Sequence, residues 1–224
     1  MNAEELITRA KKLTPVVRER ADLADRLQRL PDETLKDFID AELLKVLVPK
    51  RFGGHELDFG VVGKMATEIA SGCGSSGWCL IVYNCHNWLA AAMPERTQQE
   101  IYGEAGFALI PAPLNPAGAR AHRVDGGFRV SGQWPFASGV YHSNWAILPA
   151  YVNQDGKTGS EDGELEEIVF AVPRTDFEMN AKSWCVEGMR GTGSMVRCPE
   201  STCCGPGLSR TVTGGTRTRH TPSA

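Results

Sequence analysis

Two stretches of this chain carry residue types whose spacing suits chemistry on a flat, hydrogen-bonding ring. In residues 127–139, Phe128, Val130, Trp134 and Phe136 fall on one parity, and Arg129, Ser131 and Gln133 on the other. That period of two predicts a strand with one buried face. The strand runs into Ala137-Ser138-Gly139, so a hydroxyl follows an aromatic ring by two residues at its end. An aromatic face beside a hydroxyl can hold a planar polar ring. The same two residues would also serve as a core phenylalanine and a turn serine. In the second stretch Trp78, Val82 and His86 stand at i, i+4 and i+8, on one side of an apolar segment. A histidine placed there is either a hydrogen-bonded core residue or an acid–base group whose pKa lies near working pH.

The elements that must position these residues follow from pattern. Leu6, Ala10, Leu13, Val16, Val17, Ala21, Ala24 and Leu27 recur at three and four, predicting helix over residues 2–30, broken or restarted at Pro15. Pro31 with Asp32 and Glu33 opens another helix bearing Leu35, Phe38, Ile39 and Leu43. Residues 48–54, with Gly53 and Gly54, form a turn-rich break. A helix over 59–71 carries Val62, Met65, Ala66 and Ile69, and the small residues 72–77 interrupt it before a central, buried helix over 78–93. Pro94 starts a short helix ending near Tyr102.

After Gly106 the character changes. Residues 107–110 read as a short strand, and Asp125-Gly126 as a tight hairpin turn. Further strands are expected at 145–152 and 168–172, joined by a polar surface loop over 153–166. Helices first and strands afterwards predict an α+β chain, with an N-terminal helical domain over 1–106 and a small antiparallel β domain over 107–194.

Composition excludes several classes. The chain has 224 residues, 42% hydrophobic and 23% charged, as expected of a globular protein with a real core. A net charge of -3 favours neither nucleic acid nor an anionic membrane as partner. No apolar run reaches membrane-span length, and the charged N-terminus has no apolar leader core. Seven cysteines without regular pattern predict reduced thiols in a cytoplasmic protein. Cys73, Cys79 and Cys85 fit no zinc spacing and read as small buried apolar residues, so no metal site is expected. Nothing reads as strand, G-x-G-x-x-G and helix in succession, so a nicotinamide nucleotide is not expected to bind.

Four motifs in order carry a family resemblance: Pro49-Lys50-Arg51-Phe52-Gly53-Gly54, Leu114-Asn115-Pro116-Ala117-Gly118, the stretch from Gly132 to Ser138, and Gly188-Met189-Arg190-Gly191-Thr192-Gly193-Ser194. Together, over about residues 10–194, they resemble the acyl-CoA dehydrogenase superfamily. Gly74-Ser75-Ser76-Gly77-Trp78, His86-Asn87-Trp88 and Trp134-Pro135-Phe136-Ala137-Ser138-Gly139 are most similar to the oxygenase components of two-component flavin-dependent aromatic monooxygenases, the hydroxylases of 4-hydroxyphenylacetate and secosteroid phenols. The resemblance implies reduced FMN or FAD as cofactor, O2 as co-substrate, a phenolic substrate, and a separate NAD(P)H-dependent flavin reductase. It implies that Phe136 stacks on the flavin, that Ser138 reaches its N5 edge and that His86 handles the phenol. Trp78 would wall the pocket, while Leu114, Gly118 and Ala119 would lie along the flavin. Arg190 is expected to be structural, and His122 and His142 to serve on the surface. The alternatives are an acyl-CoA dehydrogenase or an inactive truncated product.

The family continues beyond the position of Ser194 into a further β segment and a C-terminal four-helix domain that mediates homotetramers, which this sequence lacks. Residues 195–224 are rich in Arg, Thr, Gly, Pro and Cys without period, and read as a non-family tail unable to offset its ordering entropy. Such a tail arises either naturally or from a reading-frame change near Ser194, and impaired activity is the expectation in that form.

Overall fold

The computed structural model describes residues 1–103, 105–153, 166–179, 184–198, 203–204 and 209–211. Its first half consists of α1 (Ala3–Glu19), α2 (Ala21–Leu27), α3 (Asp32–Asp40), α4 (Phe59–Gly72), α5 (Gly74–Ala91) and α6 (Glu95–Tyr102). Side-chain oxygens start two of them. Asn2 accepts from Glu5 N at 2.9 Å and Asp58 from Val61 N at 3.2 Å, supplying partners for free first-turn amides. Pro15 does not break the first helix. It sits inside α1, and the chain bends at Arg20 instead. The buried stripe of Leu6, Ala10 and Val17 spans the proline, and Thr14 Oγ1 beside it donates to Glu68 O of α4 at 3.0 Å, so packing outweighs one lost backbone bond.

The interruption expected over 72–77 is shorter than it reads. Cys73 alone separates α4 from α5, because Gly77 lets the two helices approach until a Cβ there would lie 2.6 Å from that of Ala70. Nor is α5 buried all round. Leu80, Tyr83, Asn84 and Asn87 are fully buried, whereas Trp78 and Trp88 are 47% and 51% exposed.

The second half is a sheet of β1 (Arg120–Val124), β2 (Gly127–Pro135), β3 (Trp145–Asn153), β4 (Glu166–Pro173), β5 (Glu178–Met179), β6 (Met195–Cys198), β7 (Cys203–Cys204) and β8 (Ser209–Thr211). The order is β5-β6-β2-β1-β3-β4-β8, with β7 also on β2. The β1–β2 hairpin closes on Asp125-Gly126, where Val124 pairs Gly127 and Gly126 takes φ +78°, as the dipeptide signals. Every pairing is antiparallel except one: β1 runs parallel to β3, Arg120 opposite Tyr151. The expected antiparallel sheet is therefore mixed.

Two other expectations are corrected. Residues 107–110 form no strand, because Asn side chains engage their backbone: Ala108 is held by Asn87, and Leu109 N donates to Asn144 Oδ1 at 2.8 Å. Residues 195–224 are not wholly a tail outside the fold, since β6, β7 and β8 join the sheet. A sheet edge recruits backbone amides and carbonyls whatever the side chains, so a patternless sequence can still pair. The remainder of that segment, and most of the expected 153–166 loop, lie outside the described residues.

One core, around Phe38, Met65, Ile69, Leu80 and Tyr83, lies within the helices. A second, around Val130, Trp134, Leu148 and Phe170, lies under the sheet. A third joins Val48, Ala90 and Tyr102 to Ile110, Ile147 and Ala171 across the junction. Polar contacts cross it too: His142 Nε2 lies 2.7 Å from Asp32 Oδ1 and 3.0 Å from Arg29, and Tyr83 donates to Gly139 O at 2.7 Å.

Candidate active site

The open side of α5 faces the end of β2 across a cavity of about 650 Å3. Among the predicted residues, Trp78, His86, Leu114, Phe136 and Ser138 line it, so five expected site residues converge on one place. Gly118 and Ala119 do not. Gly118 takes φ +83° in a turn, and Ala119 is buried in the sheet core, where a Cβ on the facing Gly132 would lie 2.5 Å from its own. The small side chain of Ala119 thus answers to packing against Gly132, and glycine at 118 to its left-handed backbone.

Phe136 departs from the alternation of β2. Phe128, Val130 and Trp134 are buried as the period requires, but Phe136 has φ 62° and is 72% exposed. Left-handed backbone is costly for a residue with a side chain, on the order of 1–3 kcal/mol, and turns the ring out of the core into the cavity mouth. Trp184 meets it edge-on, ring centres 6.1 Å apart. Trp184 is itself pinned: its Nε1 donates to Arg190 O at 3.2 Å, and its carbonyl accepts from Gln28 Nε2 at 3.0 Å. Trp184 thus rests on the backbone of the Arg190 motif, whose Gly188, Met189 and Thr192 also line the cavity.

Two residues on, Ser138 is buried. Its Oγ accepts from Trp78 Nε1 at 3.2 Å and lies 3.2 Å from Ser194 Oγ. Ser194 Oγ is in turn 3.3 Å from Thr192 Oγ1, which donates to Met189 O at 2.9 Å. A row of hydroxyls thus runs from the cavity wall into the protein. The Gly139 peptide ties this row to α5, its N–H donating to Thr192 O at 2.8 Å and its carbonyl accepting from Tyr83.

His86 lines the cavity half-buried, with Nδ1 2.7 Å from Ile110 O. A carbonyl only accepts, so Nδ1 carries the proton and Nε2 keeps a lone pair. Desolvation pushes the histidine pKa down to about 4, opposed weakly by the bond to Ile110. At neutral pH the ring is therefore an uncharged acceptor. Cys85, one residue before it, also lines the cavity, with a thiol pKa raised by burial. Cys73 and Cys79 are buried, the latter thiol pushed up to about 12, as apolar packing predicts. Among the described residues no cluster of His, Cys, Asp and Glu could hold a metal, and no helix is long and apolar enough to cross a membrane. His122 is exposed on β1, and His142 bridges the two halves away from the cavity.

The sequence reading misses Ile81, Cys85, Ala112, Trp184, Val186, Met189, Thr192 and, behind the wall, Ser194. Extending the Trp78–Val82–His86 spacing to its i+3 and i+7 neighbours gives Ile81 and Cys85. Trp184 carries no local signal, because a distant turn delivers it.

With this geometry in place, comparison with known proteins is informative. Residues 8–104 match the acyl-CoA dehydrogenase N-terminal domain family. Over 193 residues the chain is 34% identical to the flavin-dependent monooxygenase oxygenase subunit HsaA of Mycobacterium tuberculosis, covering 86% of this chain and 47% of that protein. The crystal structure of 3-HSA hydroxylase from Rhodococcus sp. RHA1 superimposes with a TM-score of 0.84 at 29% identity, covering 92% of this chain and 51% of that one. XiaF from Streptomyces sp., solved with FADH2 and glycerol, gives a TM-score of 0.84 at 29% identity, covering 94% and 51%. The chain is thus similar to oxygenase components of flavin-dependent monooxygenases, and it spans about half the length of the relatives it matches.

Proposed function

We propose that this chain carries the flavin and substrate pocket of an oxygenase component that hydroxylates a phenolic substrate with reduced FMN or FAD and O2. The observation that carries the reading is the convergence of Trp78 and His86 from α5 with Phe136 and Ser138 from the end of β2 on one cavity. The residues present fit a flavin. An aromatic ring held outward by left-handed backbone offers a stacking surface, and a buried hydroxyl on the cavity wall offers a bond to a ring nitrogen. A volume of about 650 Å3 suits such a group, and the walls are mostly apolar side chains. When bound, reduced flavin supplies the electrons that activate O2.

The chain's own residues do the rest. Phe136 and Ser138 orient the ring, one by its face and one at its edge. His86 Nε2, an uncharged acceptor at neutral pH, takes the hydrogen bond of a phenol, which polarises the O–H bond and enriches the aromatic ring in electrons. Trp78, Trp184 and Val186 exclude water from the reacting atoms. A separate NAD(P)H-dependent reductase delivers the reduced flavin, in keeping with the oxygenase-subunit name of the relative. A cytoplasmic setting and a homotetrameric parent belong to the same reading.

The test is anaerobic titration of the chain with reduced FMN and FADH2, followed by O2 and a panel of phenols with product mass as readout. Saturable binding of reduced flavin and a product one oxygen heavier are expected. No binding of reduced flavin, or bleaching of bound oxidised FAD by an acyl-CoA, would overturn the assignment.

A further inference from the structure

Ser194 lies behind the cavity wall and Thr192 on it, neither has a role in the chemistry proposed above, and their hydroxyls continue the row that begins at Ser138. Counting hydrogens along it is decisive. Each hydroxyl has one hydrogen and two lone pairs. Trp78 Nε1 can only donate, so it fills one lone pair of Ser138 Oγ. Met189 O can only accept, so the hydrogen of Thr192 is committed to it and the Thr192–Ser194 contact must run from Ser194 to Thr192. Ser194 has a single hydrogen and two hydroxyl neighbours, at 3.2 Å and 3.3 Å. One arrangement makes all of these contacts, and a second, in which Ser194 turns its hydrogen from Thr192 to Ser138, gives up the Ser194–Thr192 bond. In one, Ser138 donates to Ser194 and Ser194 to Thr192, which leaves Ser138 a lone pair facing the cavity. In the other, Ser194 donates to Ser138, whose own hydrogen is then free only for the cavity. Ser138, Thr192 and Ser194 are all buried, so water cannot serve as substitute partner without cost.

We propose that Ser194 and Thr192 are positioning residues that let Ser138 present either a lone pair or a hydrogen to a ring nitrogen in the cavity, and so hold that ring in both its hydrogen-bearing and its bare form. The inference rests on the flavin reading above, since a flavin ring nitrogen gains a hydrogen on reduction and loses it on oxidation. Without the relay, Ser138 meeting an N–H would leave its own buried hydrogen unpartnered. Meeting a bare nitrogen, it would donate as before.

The experiment compares Ser194→Ala, Thr192→Val and Thr192→Ser with the unaltered chain, each titrated with oxidised and reduced FMN by absorbance and fluorescence. The ratio of reduced to oxidised affinity is expected to fall roughly 5- to 10-fold in Ser194→Ala and Thr192→Val, with Thr192→Ser retaining it. Equal loss of both affinities, or an unchanged ratio, overturns the relay. A ligand-free readout separates this from the function itself. The Trp78 indole Nε1–H resonance should move upfield in Ser194→Ala, because Ser138 loses the onward partner that polarises it, and should hold its place in Thr192→Ser. If the chain binds no flavin but this pattern appears, the flavin assignment fails while the hydroxyl row stands. If the resonance is unmoved in Ser194→Ala, the row is not coupled and the proposal falls.

Discussion

The two faces of α5 handle polar groups in opposite ways. On the buried face every hydrogen-bonding group has a fixed partner. Asn84 donates to Leu43 O and Leu80 O and accepts from Val46 N, while Asn87 donates to Tyr83 O and Ala108 O and accepts from Ala108 N. On the open face His86 commits one nitrogen to Ile110 O and points the other half of its ring into a cavity. Trp78 spends its donor on a hydroxyl that itself lines the site. The first face uses polarity to lock a junction; the second keeps polarity in reserve for a ligand. That contrast separates structural from functional polar residues on a single helix.

The comparison breaks first on its locked side. Asn87→Ala orphans the amide and carbonyl of Ala108 in a fully buried setting, and is expected to destabilise the fold by about 3 kcal/mol in urea unfolding, with the helical and sheet halves melting apart. On the open side His86→Ala should lower hydroxylation roughly 100-fold while moving the unfolding midpoint little. An equal fall in stability and rate would erase the distinction between the faces.

Acid should expose the cost of the held-back nitrogen. The His86 pKa lies near 4 folded against an ordinary 6.5, so the unfolded chain binds the proton first. Stability attributable to this residue is intact above pH 6.5 and lost as pH falls towards 4, about 2 kcal/mol by pH 5. Urea unfolding at pH 7 and pH 5 checks this, and His86→Asn should remove that part of the slope. The smallest effect is expected at Phe136→Gly. Glycine relieves the left-handed backbone, so stability should rise by no more than about 1 kcal/mol while reduced-flavin affinity falls roughly 10-fold.

Much of this architecture was legible in the residues. Helix stripes such as Val62, Met65, Ala66 and Ile69, the Asp125-Gly126 turn and the Phe128–Trp134 alternation are local signals, and they place the elements correctly. The site was legible where its residues sat on those elements, as Trp78 and His86 do on α5. Local signals failed where tertiary contacts decide. Pro15 is carried through α1 by packing against α4, and residues 107–110 are held by Asn87 and Asn144 in place of strand neighbours. The parallel β1–β3 pairing and the arrival of Trp184 beside Phe136 join residues far apart in sequence, and no window of the chain contains them.

The Gly139 peptide, bonded through its N–H to Thr192 and through its carbonyl to Tyr83, has a mechanical meaning. A side chain there would begin 2.7 Å from the Tyr83 ring, so the end of β2, the Thr192 turn and α5 meet with no slack. These contacts clamp the three segments together, which sets the separation of Ser138 and His86 across the cavity like the span of a caliper. Leu114, which also lines the cavity, is by contrast 74% exposed.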